Sequence, residues 1–291
     1  MHGPSERLTT ADGRTLAYRR LGSGPTLVCH PGGPGFSSLY LSDLGRLDEE
    51  LELVLVDPRD TGRSDPAAEP HAYEIDDYVS DLEELRAHLG LERMQLLGHS
   101  HGGVAAAAYA ASHAERVERL ILASTLPRHG PEQEATMQAA IQERSAEPWY
   151  DDAVAALKTE LEGDFADGRE LMDLSQRMMP LYFARYGDRE RAYVQGMDGE
   201  KLSVDALRLW EKEIFGHFDL RPLLPRLTMP TLVITGERDF ITGPSCAAEL
   251  AAAIPEAETV VLPRVGHMVF VEAPDAFRQA VLSFLGVGAP A

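Results

Sequence analysis

The sequence predicts an α/β protein with a mostly parallel, doubly wound sheet. Short apolar runs alternate with segments in which apolar residues recur at helical spacing, as is typical of parallel β–α–β units. One of these runs leads through a serine flanked by glycines directly into an alanine-rich helix. A long helix-like stretch without a strand pattern separates the first part of the sheet from the last. We therefore predict a sheet core over residues 1–125 and 222–291, with a helical cap inserted at 126–221.

Length and charge limit the classes of function that the chain can have. Its 291 residues, 44% of them hydrophobic, suffice for one catalytic domain with an insertion. A formal net charge of -20 repels phosphate backbones and anionic lipid surfaces. We therefore expect no nucleic-acid partner and no membrane association. The sequence leaves the oligomeric state open.

Cysteine content and the absence of apolar segments predict the compartment. The only two cysteines, Cys29 and Cys246, give no disulfide framework, which is typical of a reducing environment. Residues 1–7 lack the apolar stretch of a signal peptide, and no run of roughly 18 uncharged apolar residues occurs in the chain. These features predict a cytoplasmic protein.

The elements of the first half follow from turn signals and periodicity. Asp12-Gly13 supplies a tight turn between two antiparallel edge strands. Apolar spacing over 75–89, ended by Gly90, indicates a helix that covers one face of the sheet. Uninterrupted apolar runs are typical of buried parallel strands. The predicted strands are residues 7–10, 14–18, 25–29, 51–57, 94–97 and 117–123.

The second half begins with the predicted cap and then returns to the sheet. Residues 126–221 are rich in Glu, Ala, Met and aromatic residues, and we expect most of the aromatic side chains to form the core of the cap and some to line an apolar pocket. The pattern then predicts strands at 230–236 and 259–262, and helices at 244–253 and 274–285. A cap placed there would cover the strand ends, where open α/β sheets bind their ligands.

A nucleophile elbow is predicted at Gly98-His99-Ser100-His101-Gly102. In a strand–turn–helix of the form Gly-x-Ser-x-Gly, the serine adopts a strained backbone conformation that exposes its hydroxyl above the sheet. A Cβ atom at Gly98 or Gly102 would collide across so tight a turn. Ser100 is therefore the predicted nucleophile.

Three residues satisfy the requirements of nucleophilic catalysis by serine. A serine needs a base to take its proton and a carboxylate to orient that base. Ser100, Asp239 and His267 follow one another in the order known for this type of elbow, and each lies just past a predicted strand end. The backbone N–H groups of Gly33, in a glycine- and proline-rich loop, and of His101 are the predicted oxyanion hole.

Two further pairs of residues receive other predictions. His99 and His101 flank the nucleophile, but strand and helix directions point their side chains apart, so we predict no metal site and no cofactor. Arg59 and Asp57, beside a polar loop, are expected to form a structural ion pair.

Together, these motifs resemble the α/β-hydrolases of the proline iminopeptidase (prolyl aminopeptidase) group. The chain differs from that group at the elbow, where typical members have Gly-Gly-Ser-Trp-Gly. It also has Asp60 where glycine is usual and an additional Pro31 in the oxyanion loop. The resemblance rests on residues 30–35, 57–64, 98–102, 236–239 and 266–267.

The resemblance implies an α/β-hydrolase fold and release of amino-terminal proline or a similar residue from short peptides. Members with this activity hold the substrate ammonium with cap carboxylates, and Glu211 matches best, with Glu213 in reserve. Both could instead be solvated surface charges. An esterase or lactonase acting on small carboxylic esters remains the main alternative, because the same machinery cleaves both bonds. A ligand-binding receptor that keeps the fold without turnover remains the alternative of another class.

Overall fold

The computed structural model describes residues 5–67, 69, 72–197, 199 and 201–288. An eight-stranded sheet forms its centre. The strands are β1 (Ser5–Thr9), β2 (Thr15–Gly22), β3 (Thr26–His30), β4 (Glu52–Asp57), β5 (Met94–His99), β6 (Val117–Ala123), β7 (Thr231–Gly236) and β8 (Ala257–Leu262).

The strand order is β1-β2-β4-β3-β5-β6-β7-β8. β1 pairs with β2 and β2 with β4 in antiparallel orientation, while every other pairing is parallel. The predicted mostly parallel sheet is therefore confirmed, with the predicted hairpin at its edge. Parallel alignment brings the carboxyl ends of β5, β7 and β8 to one rim of the sheet, and a substrate site of this fold lies at that rim.

Ten α-helices are present in the described residues. They are α1 (Ile75–His88), α2 (His101–Ser112), α3 (Pro131–Gln142), α4 (Tyr150–Leu161), α5 (Gly168–Met178), α6 (Asp188–Gln195), α7 (Val204–Leu209), α8 (Pro244–Ala253), α9 (Val269–Glu272) and α10 (Pro274–Leu285). No helix of this part of the chain is long and apolar enough to cross a membrane.

Alternation along the buried strands divides the core between the two faces of the sheet. Leu96 of β5 packs in the cluster that contains α1, α2 and α8, whereas its neighbour Leu97 packs in the cluster that contains α10. Because successive strand side chains point to opposite faces, helices on both faces are needed to cover apolar strands. The sheet is therefore doubly wound, as predicted.

Helices α3 to α7 lie between β6 and β7, and α3, α4, α5 and α7 contribute to a third apolar cluster. The two ends of this segment meet beside the sheet, where Arg128 and Asp219 form an isolated antiparallel bridge and the Leu220 N–H donates to the Pro127 carbonyl at 2.8 Å. This closure agrees with an insertion that leaves and rejoins the core at one place. The exact division at 126–221 stays a prediction.

The structure differs from the prediction in several elements. β5 continues to His99 and β8 begins at Ala257, and the short helix α9 has no counterpart in the prediction. The predicted ion pair between Arg59 and Asp57 is wrong. Arg59 instead pairs with Asp81 of α1 at 2.8 Å, while Asp57 accepts a hydrogen bond from the Ser38 hydroxyl at 2.6 Å.

Candidate active site

The elbow places Ser100 between β5 and α2 with a backbone that few L-residues adopt. Its φ and ψ angles are 56° and -124°. A Cβ atom at Gly98 would lie 2.2 Å from the Gly102 carbonyl oxygen, and one at Gly102 would lie 2.3 Å from the His30 carbonyl oxygen. Only glycine fits at either position, so these residues allow the turn that raises Ser100 above the sheet edge.

Asp239 and His267 lie in the loops that follow β7 and β8. The Nδ1–H of His267 donates to Oδ2 of Asp239 at 2.9 Å. This hydrogen bond leaves Nε2 of His267 as the unprotonated nitrogen, the atom that a general base requires. His267 and Ser100 line the same cavity. The structure thus brings the three predicted catalytic residues to one rim of the sheet.

The Asp239 carboxylate is buried but has several donors. The backbone N–H groups of Ile241 and Thr242 donate to its Oδ1, each at 3.0 Å, and the Thr242 hydroxyl donates to Oδ2 at 2.6 Å. Burial alone would raise the pKa of Asp239, but attraction to His267 and the hydrogen bonds from His267 and Thr242 lower it to about 2. Asp239 is therefore a stable anion that orients His267.

The predicted oxyanion donors are the backbone N–H groups of Gly33 and His101. The Gly32 N–H donates to the Tyr40 hydroxyl at 2.5 Å, whereas no hydrogen bond from the N–H of Gly33 occurs within the described part of the chain. Gly33 has a φ of 56°. His101 is the first residue of α2, where the N–H has no acceptor within the helix. Both N–H groups belong to residues that line the cavity.

The cavity above Ser100 is mostly apolar. The core contributes the loop at Gly32, Gly33 and Pro34, and the predicted cap closes the opposite side. Its apolar and aromatic lining from this side consists of Leu126, Met137, Leu157, Leu161, Met178, Met179, Tyr182, Met197, Leu207, Trp210 and Phe215. Such a lining lowers the local dielectric constant and so strengthens any electrostatic interaction made inside the cavity.

Two cap carboxyl groups interrupt this apolar lining. Glu160 of α4 and Glu211 both line the cavity, and Glu160 is only 6% exposed. Oε2 of Glu160 is buried without a hydrogen-bond partner. Burial, and secondly repulsion by Glu211, raises the pKa of Glu160 to about 8, while burial raises the pKa of Glu211 to about 7. Among the described residues, no lysine or arginine forms an ion pair with either carboxyl group.

Glu211 lines the cavity at a point where the helix is irregular. Residues Trp210–Ile214 form one π-helical turn, in which the Phe215 N–H donates to the Trp210 carbonyl at 2.8 Å. π-Turns are common at functional sites because they rotate side chains relative to a regular helix. Glu213, the predicted reserve, is exposed and does not line the cavity.

His99 and His101 point into different surroundings. The His99 ring contacts Tyr40 and His267, whereas His101 packs edge-to-face on Trp210 with ring centroids 4.5 Å apart. Burial, and secondly the neighbouring histidines His267 and His30, lowers the pKa of each to about 3. Both rings are therefore neutral. In the described residues no group of three or more His, Cys, Asp or Glu side chains is arranged to hold a metal ion.

Comparison with known proteins identifies the family of the chain. A family model described as alpha/beta hydrolase fold matches residues 25–274. The chain belongs to this family. The α/β-hydrolase fold predicted from the motifs is thereby confirmed, and the strand–elbow–helix geometry around Ser100 is in keeping with it.

Several named α/β-hydrolases are similar to the chain over nearly its whole length. Proline iminopeptidase PfmaB from Pestalotiopsis fici is 28% identical over 94% of this chain and 97% of its own. A proline iminopeptidase from Saccharolobus solfataricus is 28% identical over 92% of this chain and 87% of its own. The crystal structure of the enol-lactonase from Burkholderia xenovorans LB400 is 27% identical, with a TM-score of 0.73, over 97% of this chain and all of its own.

Glu160 is the residue of this cavity that the sequence analysis missed. Its helix α4 buries Ala153, Ala156 and Leu157, and Glu160 continues the same stripe at helical spacing. The apolar periodicity of α4 therefore places an acidic residue on the buried face of the helix. Because glutamate is rarely buried, this position is a signal that the sequence itself offers. The sequence prediction includes only Glu211 and Glu213, because the family resemblance points to carboxylates late in the cap.

Proposed function

We propose that this α/β-hydrolase is a serine aminopeptidase that releases an amino-terminal proline or a similar residue from short peptides. Ser100 attacks the carbonyl carbon of the first residue while His267, oriented by Asp239, takes the hydroxyl proton. The N–H groups of Gly33 and His101 stabilise the oxyanion. His267 then protonates the leaving amine, and water hydrolyses the acyl-enzyme by the same route.

The observation that carries this proposal is the carboxyl pair Glu160 and Glu211. Two acidic groups lie in one apolar cavity, and the described chain supplies no cation to neutralise them. A buried carboxylate without a partner is costly, and a substrate ammonium group would offset that cost. A peptide with a free amino terminus carries such an ammonium close to its first carbonyl. Similarity to two proline iminopeptidases supports the same substrate class.

Replacing Glu211 and Glu213 by glutamine, one at a time, tests the proposal. Glu211→Gln keeps the size of the side chain and removes the charge inside the cavity. Truncating one partner of a desolvated charge pair costs ~2–5 kcal/mol, roughly 30-fold to several thousand-fold in kcat/KM. We therefore expect Glu211→Gln to lower kcat/KM on a prolyl-arylamide at least roughly 30-fold while barely changing hydrolysis of an uncharged aryl acetate.

Glu213→Gln is the matched control, because it makes the same chemical change two positions away on an exposed side chain. It should leave both substrates within about twofold of the unmodified protein. An N-acetylated prolyl-arylamide should be a poor substrate, because it has no ammonium group. Equal cleavage of free and blocked prolyl substrates, or equal effects of the two variants, would overturn the aminopeptidase assignment.

An esterase or lactonase is the second candidate. The similarity to an enol-lactonase and the apolar lining of the cavity favour it. In that case short-chain aryl esters or lactones would be cleaved far better than aminoacyl-arylamides, with no dependence on Glu211. A fluorophosphonate probe, read out by intact mass, separates either hydrolase from a non-catalytic receptor because only an activated serine becomes labelled.

A further inference from the structure

A continuous chain of hydrogen bonds runs from the oxyanion loop to the loop of the general base. The Gly32 N–H donates to the Tyr40 hydroxyl oxygen at 2.5 Å. The Tyr40 hydroxyl and Nδ1 of His99 are 2.8 Å apart, and Nε2 of His99 lies 3.2 Å from the His267 carbonyl oxygen. Four buried groups from four separate parts of the chain are thus connected.

The two ends of this chain fix the direction of every bond in it. An amide N–H can only donate and a carbonyl oxygen can only accept, so His99 must carry its proton on Nε2. Its Nδ1 is then an acceptor, and the Tyr40 hydroxyl proton points to it. Burial, and secondly His267, lowers the pKa of His99 to about 3, which keeps the ring in this neutral form.

Each end of the chain is next to a group that the hydrolytic mechanism uses. Gly32 directly precedes Gly33, so the anchor on the Gly32 N–H limits how the following peptide group, with the oxyanion donor, can turn. At the other end, the His267 carbonyl accepts from His99 while the His267 N–H donates to the Tyr182 carbonyl at 2.8 Å. The backbone of the general base is therefore held from both sides.

We propose that His99 is a positioning residue which, together with Tyr40, holds the oxyanion donor of Gly33 and the imidazole of His267 in one fixed geometry around Ser100. This inference rests on the proposed serine-hydrolase function. Displacing a reacting group by about 1 Å can cost roughly 100-fold in rate, and losing one oxyanion donor costs roughly 100- to 1000-fold in kcat. A loosened hydrogen-bond chain should therefore reduce the rate of the covalent step without removing the nucleophile.

The test uses Tyr40→Phe, His99→Phe and the double variant in the full-length protein. Each substitution keeps an aromatic ring and removes the hydrogen bonds. We expect each single variant to slow fluorophosphonate labelling of Ser100 by roughly 10- to 100-fold. On the best substrate, kcat should fall and KM should stay nearly constant. The double variant should be no slower than the slower single variant, because both substitutions break the same chain.

Tyr109→Phe is the matched control. Tyr109 of α2 is also buried, does not line the cavity, and donates its hydroxyl proton to Glu83 of α1 at 2.7 Å. It should label at the rate of the unmodified protein, even if its thermal stability falls. A boronic acid, which mimics the tetrahedral intermediate, should bind Tyr40→Phe and His99→Phe more weakly by the factor lost in kcat.

The outcomes separate this inference from the proposed function. If the unmodified protein is not labelled at Ser100, the proposed function fails and this inference fails with it. If the unmodified protein is labelled and both single variants label equally fast, only the positioning role is overturned. It is also overturned if the two losses multiply in the double variant or if boronic acid affinity does not change, because separate packing defects would behave in that way.

Discussion

Replacing Glu160 by glutamine should stabilise the folded protein at alkaline pH and change its stability far less in mild acid. Glu160 is 6% exposed and its Oε2 has no hydrogen-bond partner. A buried, unpaired carboxylate opposes folding only while it is ionised. The effect of Glu160→Gln must therefore depend on pH, unlike the effect of a packing change.

The magnitude follows from the pKa of Glu160, which burial and secondly Glu211 raise from 4.5 to about 8. The folded state binds a proton more tightly than the unfolded state, so stability decreases as the pH rises from about 4.5 to about 8. One pKa unit corresponds to about 1.4 kcal/mol, which sets an upper limit of roughly 5 kcal/mol. Because solvent can enter the cavity, we expect a gain of about 2–4 kcal/mol for Glu160→Gln at pH about 9 and less than about 1 kcal/mol at pH about 5.

Urea unfolding at the two pH values measures this difference directly. Glu213→Gln is again the matched control, and its free energy of unfolding should change little at either pH, because Glu213 is exposed. The same stabilisation by Glu160→Gln at both pH values would mean that charge is not its cause. No stabilisation at alkaline pH would show that Glu160 is solvated or has a cationic partner, and the reasoning about the cavity would fail.

Three other outcomes follow from the same geometry. Ser100→Ala should abolish hydrolysis and fluorophosphonate labelling with the free energy of unfolding nearly unchanged, and His267→Ala should match its loss of kcat, since the groups act as a unit. Because the pKa of Glu211 is raised to about 7, kcat/KM for a free-amine substrate should fall more steeply below that pH than kcat/KM for an aryl acetate, as protonation removes the charge that binds ammonium. Exchanging 126–221 for the cap of a related hydrolase should change substrate preference; unchanged preference would assign it to the core loops.

Local signals explain why the sheet and the elbow could be predicted from the sequence. The turn at Ser100 depends on glycines two positions to either side, and the buried part of β6, residues 120–123, is an uninterrupted apolar run of the kind that is typical of parallel strands. The sequence defines the strand ends less well. β5, for example, continues through Gly98 and His99, although their sequence also suits the turn. The order of these elements was enough to predict the fold class.

The ion-pair and hydrogen-bond partners of buried side chains could not be predicted in the same way. Arg59 and Asp57 are two positions apart, and their proximity suggested an ion pair, but the structure brings Asp81 of α1 to Arg59. Tyr40 is 59 positions from His99, and nothing in the sequence connects them until β4, β3 and β5 are placed side by side. Hydrogen-bond partners of buried groups depend on tertiary packing, which periodicity does not encode.

The cavity contains an internal comparison that bears on substrate choice. Asp239 and Glu160 are both almost fully buried, yet the pKa of Asp239 is lowered to about 2 while that of Glu160 is raised to about 8. The difference lies in their partners, since His267 and Thr242 donate hydrogen bonds to Asp239, whereas no donor within the described residues reaches Oε2 of Glu160. A neutral ester bound in this cavity would leave both carboxyl groups without a cationic partner. A substrate with an ammonium group would satisfy both of them, so the pair should favour cationic substrates over neutral ones.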